Sequence, residues 1–238
     1  MVDDIDTFDR ARLLYERAVF QDDPSALAEA DQVLDAAEAA LALARGRIMH
    51  ARFLSAARAQ PGAAGSSQPG QAGPSQPAAS PADELACFER AAELFHEVGD
   101  PRGEAESLFW AGTFHQVVQG DSATAVPLLV RARDLAAAAG DALTVSYAVR
   151  HLGFADMEAG RLDAARENLE ESVRLRRQIG FIPGVAAGLL ALAELAALGG
   201  DRDQALALLD EAASAAAEAD ARGVLHWISA ARDELSAS

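Results

Sequence analysis

Six glycines set the rhythm of this chain. Gly99, Gly120, Gly140, Gly160, Gly180 and Gly200 follow one another at intervals of 21, 20, 20, 20 and 20 residues. A helix closes on a residue in the left-handed region, which glycine reaches without a Cβ clash. Asp100, Asp121, Asp141 and Asp201 come directly after four of these glycines, where a side-chain oxygen caps the next helix. Pro101, after Asp100, suits a first helical position. Each interval is therefore one helix plus its turn, and two intervals form a repeat of about 40 residues. The reading is all-α, with about eleven helices and no strand.

Small residues recur where paired helices must approach closely. In the first helix of each pair they are Ala111-Gly112, Leu152-Gly153 and Leu192-Ala193. In the second they are Ala125/Leu129/Ala132, Ala165/Leu169/Ser172 and Ala205/Leu209/Ala212, stepping by 4 and then 3 along one helical face. A Gly or Ala lets the partner helix sit near contact distance while the Leu fills the groove. Ala142–Gly180 is the most regular such unit.

This pattern resembles the tetratricopeptide repeat, which runs aromatic, Leu-Gly, aromatic, then Ala, aromatic, Ala. The chain departs from it in three ways. His115, Asp156 and Ala196 stand where a Tyr is usual, the terminal Pro is missing, and the period exceeds the usual ~34. The longer period is similar to repeats of bacterial maltose-regulator-type activators and actinobacterial regulators. The resemblance covers most of the chain as a single repeat domain, residues 1–238, and implies a right-handed α-solenoid of antiparallel helix pairs.

Upstream the pattern weakens. Asp6–Phe20 reads as a helix with Ile5, Phe8, Leu13, Leu14 and Val19 available for packing. Ser25–Arg45 reads as a second-member helix carrying Leu27, Ala30, Leu34 and Ala37. Gly46 is expected to interrupt, with Arg47–Gln60 following as a first-member helix and Leu54-Ser55 in the Leu-Gly place. Pro61–Pro81 is uncharged and rich in Pro, Gly, Ser and Gln, so it reads as a disordered insertion. It falls in a helix–helix turn and adds about 16 residues to the period. Pro127 predicts that its helix starts late, near Thr124, or kinks. At the other end, 221–236 forms a capping helix over the last repeat.

Composition removes several functions. The formal net charge is −17, from 20 arginines and 37 acidic residues with no lysine. Such a surface repels phosphate backbones, so nucleic acid is not an expected partner. No run reaches membrane length, and a cytoplasmic protein is expected. Cys87 is alone, which excludes a disulfide framework, and reads as an inert buried thiol. The five histidines form no i, i+4 pair, so no metal site is read. His115 reads as a satisfied core histidine. Phosphate loops and nucleophile elbows are absent, and neither catalytic residues nor a cofactor are expected.

The resemblance places recognition on the concave wall, lined by the first-member helices. Its exposed positions stand 6 and 3 before, and 1, 4 and 5 after, the Gly of Leu-Gly. Among those this selects are Arg52, then Phe109 and Gln116, then Tyr147, Arg150, Phe154 and Met157, then Glu194. Aromatics, an adaptable Met and a guanidinium together compose a recognition patch. Phe109 and Phe154 are expected to stand in the groove, uncovered until a partner binds. The carboxylate clamp of some tetratricopeptide domains uses Lys and Asn. Here Lys is absent and the only Asn, Asn168, lies on a second-member helix. The expected function is a scaffold binding a peptide or partner protein. The alternative is a stand-alone sensory module binding a small ligand or signalling peptide. Self-association stays open.

Overall fold

The computed structural model describes residues 6–58 and 81–237. The segment read as an insertion lies outside the described residues, apart from Pro81. Ten α-helices occur among the described residues: α1 (Thr7–Phe20), α2 (Ser25–Arg58), α3 (Pro81–Glu97), α4 (Pro101–Thr113), α5 (Ser122–Ala138), α6 (Ala142–Glu158), α7 (Leu162–Gln178), α8 (Ile182–Leu198), α9 (Arg202–Glu218) and α10 (Arg222–Ala237). A π-helical turn, Phe114–Val118, continues α4, and no strand occurs among the described residues. Each helix packs on the one before it. In addition α2 touches α4, α4 touches α6 and α8 touches α10. These alternate helices stand side by side, the packing of an all-α helical repeat. The apolar interior is a seam of three successive clusters rather than a single centre.

The six periodic glycines all take positive φ, between 68° and 80°. At each, the next N–H reaches back to a carbonyl of the last helical turn, as from Asp141 N to Ala136 O at 2.9 Å. The series continues once without glycine, for Asp220 closes α9 at φ 48°. Asp100, Asp121, Asp141 and Asp201 cap the following helices through backbone N–H groups. The one interval of 21 also finds its reason. The extra residue between Gly99 and Gly120 is absorbed by the π-turn, which widens the helix by one residue.

The small-residue places are close-approach sites. A Cβ on Gly112 would lie 2.9 Å from Leu129, and one on Gly153 2.9 Å from Leu169. Ala125, Leu129, Ala132, Ala165, Leu169, Ser172, Ala205, Leu209 and Ala212 are all fully buried.

Two expectations fail. Gly46 does not break a helix: α2 runs through it for 34 residues. A Cβ there would strike the ring of Phe88, so Gly46 does for α3 what Gly112 does for α5. The Leu-Gly place of the first unit is therefore Arg45-Gly46, not Leu54-Ser55. Consequently the N-terminal half of α2 is not a packed second-member helix. Leu27 and Leu34 are exposed, and of the apolar residues of α1 only Leu14 is buried. Around Pro127, α5 begins at Ser122 under the Asp121 cap, two residues before the expected start, and continues through the proline.

Candidate functional site

The helices α2, α4 and α6 carry a ladder of rings. His50 on α2 meets Trp110 on α4 at 5.4 Å, Trp110 meets Phe109 at 5.1 Å, and Phe109 stacks on Tyr147 of α6 at 5.3 Å. Tyr147 in turn contacts Phe181, at the start of α8, at 6.0 Å. His151 bridges Phe109 and Phe154 at 5.4 and 5.7 Å. These helices meet through interlocking aromatics, which corrects one expectation. Phe109 and Phe154 are each only 2% exposed. They pack between neighbouring repeats and are not waiting in water for a partner.

Four of the expected groove residues keep partial exposure: Tyr147, Arg150, Met157 and Glu194. Gln116 is half-buried and committed. Its amide nitrogen donates to the His151 carbonyl at 3.0 Å, and its oxygen lies 2.6 Å from His151 Nδ1. An amide oxygen can only accept, so His151 carries its proton on Nδ1. Arg52 does not join them. It is exposed, about half a turn round α2 from His50. His115, read as a core histidine, is half-exposed and bonds Gln119.

Arg150 lies over the Phe154 ring, 4.4 Å from its centroid. Its Nε is buried and has no hydrogen-bond partner. Burial brings its guanidinium down to about 10, with the Glu194 carboxylate pulling the other way. Arg150 is thus partly exposed and yet strongly desolvated.

Behind it stands a residue the repeat pattern did not select. Arg176 of α7 is 1% exposed. Its Nε donates to Ser146 Oγ at 3.3 Å and its Nη1 to the Gly184 carbonyl at 2.9 Å. Its guanidinium sits 5.0 Å over Tyr147. No carboxylate pairs with it among the described residues. Burial, reinforced by the Arg150 charge, lowers it to about 9. Gly184 makes room for Phe181 and Arg176 together, since a Cβ there would lie 2.3 Å from the Phe181 ring and 2.9 Å from Arg176 Cδ. Burial, then the charges of Arg150 and Arg176, hold His151 well below the usual histidine range, so it is neutral at pH 7. Two fixed cations thus occupy the middle of a chain whose net charge is −17. The sequence held one signal for Arg176: its register position is Ala136 and Ala216 in the flanking units.

At the α2 end of the wall the chemistry changes sign. His50 and Glu84 form a buried pair at 2.8 Å, and Arg47 bonds Glu106 at 3.1 Å. Beside Tyr147 a cavity of about 530 Å3 opens at the turn side of α6, lined by Leu143, Ile179 and Phe181, with Asp141 its only charged group. Cys87 is half-buried, and burial pushes its thiol up. Among the described residues no group of three or more His, Cys, Asp or Glu side chains could hold a metal ion, and no helix is long and apolar enough to cross a membrane. No family model matches the chain, and no curated protein matches it in sequence.

Proposed function

We propose that this chain is a tetratricopeptide-like interaction scaffold, a right-handed superhelix whose inner wall holds a peptide or a segment of a partner protein. Arg150 carries the reading. It is a charged group whose Nε is unsatisfied, with Met157 and Tyr147, both partly exposed, on the same helix. An unmade hydrogen bond at a buried donor costs about 1–3 kcal/mol, and a ligand that draws the guanidinium off Phe154 can recover it. Rigid aromatic packing beneath the stripe organises it in advance, which lowers the entropy cost of association. The scaffold acts in the cytoplasm, without cofactor, catalysis, nucleic acid or membrane.

The test is affinity capture from native lysate by the wild-type chain, Arg150→Gln and Glu194→Gln, each checked by circular dichroism. Partners lost with Arg150→Gln from a folded chain support the groove. An identical captured set from all three proteins removes it. The cavity beside Tyr147 favours a second reading, a small-ligand sensor. A thermal-shift screen that finds a low-molecular-weight stabiliser, lost on Leu143→Asp, would select that reading instead.

A further inference from the structure

We propose that the chain forms a two-fold dimer through the outer face of α2, with the two α2 helices running antiparallel. Leu27, Leu34, Leu41 and Ile48 follow at steps of 7, and Ala30, Ala37, Ala44 and Ala51 stand 3 residues after each. Steps of 3 and 4 place both sets on one seam, the a and d positions of a heptad. In a helix buried on this side they would be core. Instead Leu27, Leu34, Leu41 and Ile48 are 42–55% exposed. The face that meets the body is the opposite one, carrying Ala39, Leu43, Gly46 and His50. The wet seam runs the length of the longest helix, about 39 Å at 1.5 Å per residue over 27–52.

The charges say what covers it. The heptad e positions are Asp31, Glu38, Arg45 and Arg52, two acids followed by two arginines. In an antiparallel pair the e positions of the two helices flank the seam together, so Asp31 of one copy meets Arg52 of the other and Glu38 meets Arg45. The two-fold axis passes between residues 41 and 42. A parallel pair loses this match, since e then faces g, which is Val33, Ala40 and Arg47. Among the described residues Asp31, Arg45 and Arg52 have no ion-pair partner, while Glu38 also bonds Arg90 of α3 at 3.0 Å. A helix self-complementary in both apolar seam and charge order fits a second copy of itself, because a two-fold interface uses the same patch on both sides. Small Ala at d lets the backbones approach closely, and the Leu of one copy fills the space over the Ala of the other.

The experiment is sedimentation equilibrium of the full chain at micromolar concentration, with a dimer expected at about twice the 24.8 kDa chain mass. Leu34→Glu/Leu41→Glu changes only exposed side chains. It should give a monomer with unchanged circular dichroism, its dissociation constant raised about 100-fold or more. In a Cys87→Ser background, Leu41→Cys lies beside the axis and should cross-link to itself on oxidation, whereas Leu27→Cys should not. A wild-type monomer at 100 µM, or a dimer that survives the double Glu variant, overturns the proposal. Cross-linking through both cysteines overturns the antiparallel arrangement. The cross-linking readout stands even where the Glu variant fails to fold.

Discussion

Replacing Arg176 in two ways separates its packing from its charge. Arg176→Ala removes Cγ and Cδ, about 1.6 kcal/mol of burial at ~0.8 per methylene. It also leaves a void against Gly184 and Tyr147 that costs a comparable amount, for a total near 3 kcal/mol. Arg176→Met keeps that volume and deletes the guanidinium. It forfeits the bonds to Ser146 and Gly184, about 1.5–3 kcal/mol each, and the contact over Tyr147, about 2. Against this it recovers the several kcal/mol spent in dehydrating a buried cation. The polar terms oppose one another, so Arg176→Met should lie within about 1 kcal/mol of wild type. For a chain of this size 1 kcal/mol moves Tm by about 2–4 °C, so Ala should lose about 6–12 °C and Met about 4 °C at most. The pH dependence follows from burial lowering Arg176 from the ordinary arginine range to about 9. Between the two the unfolded chain holds a proton that the folded chain has released, so wild-type stability rises with pH above about 9. Arg176→Met lacks that rise between pH 9 and 10. Urea unfolding at pH 8 and pH 10 reads both effects. If Met falls as far as Ala, the guanidinium is a net stabiliser and the cancellation argued here is wrong.

Phe154→Ala empties a site 2% exposed and should cost about 3–5 kcal/mol by urea unfolding, so it cannot serve as a clean binding variant. Asp220→Gly relieves a left-handed non-glycine residue and should stabilise by about 1 kcal/mol, seen as a raised Tm. His151 is held well below 6.5, so the unfolded chain takes up a proton first as pH falls. Its contribution is complete above pH 6.5 and declines by up to ~1.4 kcal/mol per unit below it, a slope that His151→Gln should flatten in urea titrations at pH 5 and 7.

Legibility in the sequence divides by mechanism. The turns were legible because a left-handed closing residue and an oxygen cap leave residue-type signatures at fixed spacing. Gly46 was misread because glycine serves two purposes with one letter. At Gly140 it supplies a positive φ, and at Gly46 it supplies the missing Cβ that admits Phe88. Only the neighbouring helix distinguishes these uses. Phe109 and Phe154 were placed in the groove because position in the repeat gives direction but not the distance to the next wall helix. Arg176 was readable in principle. The positions Phe95, Ala136, Arg176 and Ala216 are followed 8 residues later by Gly103, Thr144, Gly184 and Val224. A large residue is answered by Gly and an Ala by a β-branched residue. Gly103 sits against Phe95, and Gly184 against Phe181 and Arg176, so at these two turns the glycine answers a large neighbour.

The groove and the α2 seam also interact in consequence. His50 and Gly46 turn one side of α2 to the body, and Leu41 lies on the opposite side, so pairing two copies leaves both inner walls open. A dimer then presents two Arg150 surfaces related by a two-fold axis. A partner carrying one binding segment sees two independent sites of equal affinity. A partner carrying two segments, or immobilised at high density, binds the second site at an effective concentration in the mM range for a short tether. Leu34→Glu/Leu41→Glu should therefore leave the affinity for a single soluble segment unchanged while accelerating release from a dense surface about 100-fold or more. Biosensor traces at low and high ligand density measure this directly. Equal release from both surfaces by wild type and variant would mean that the two grooves do not act together, whatever the oligomeric state.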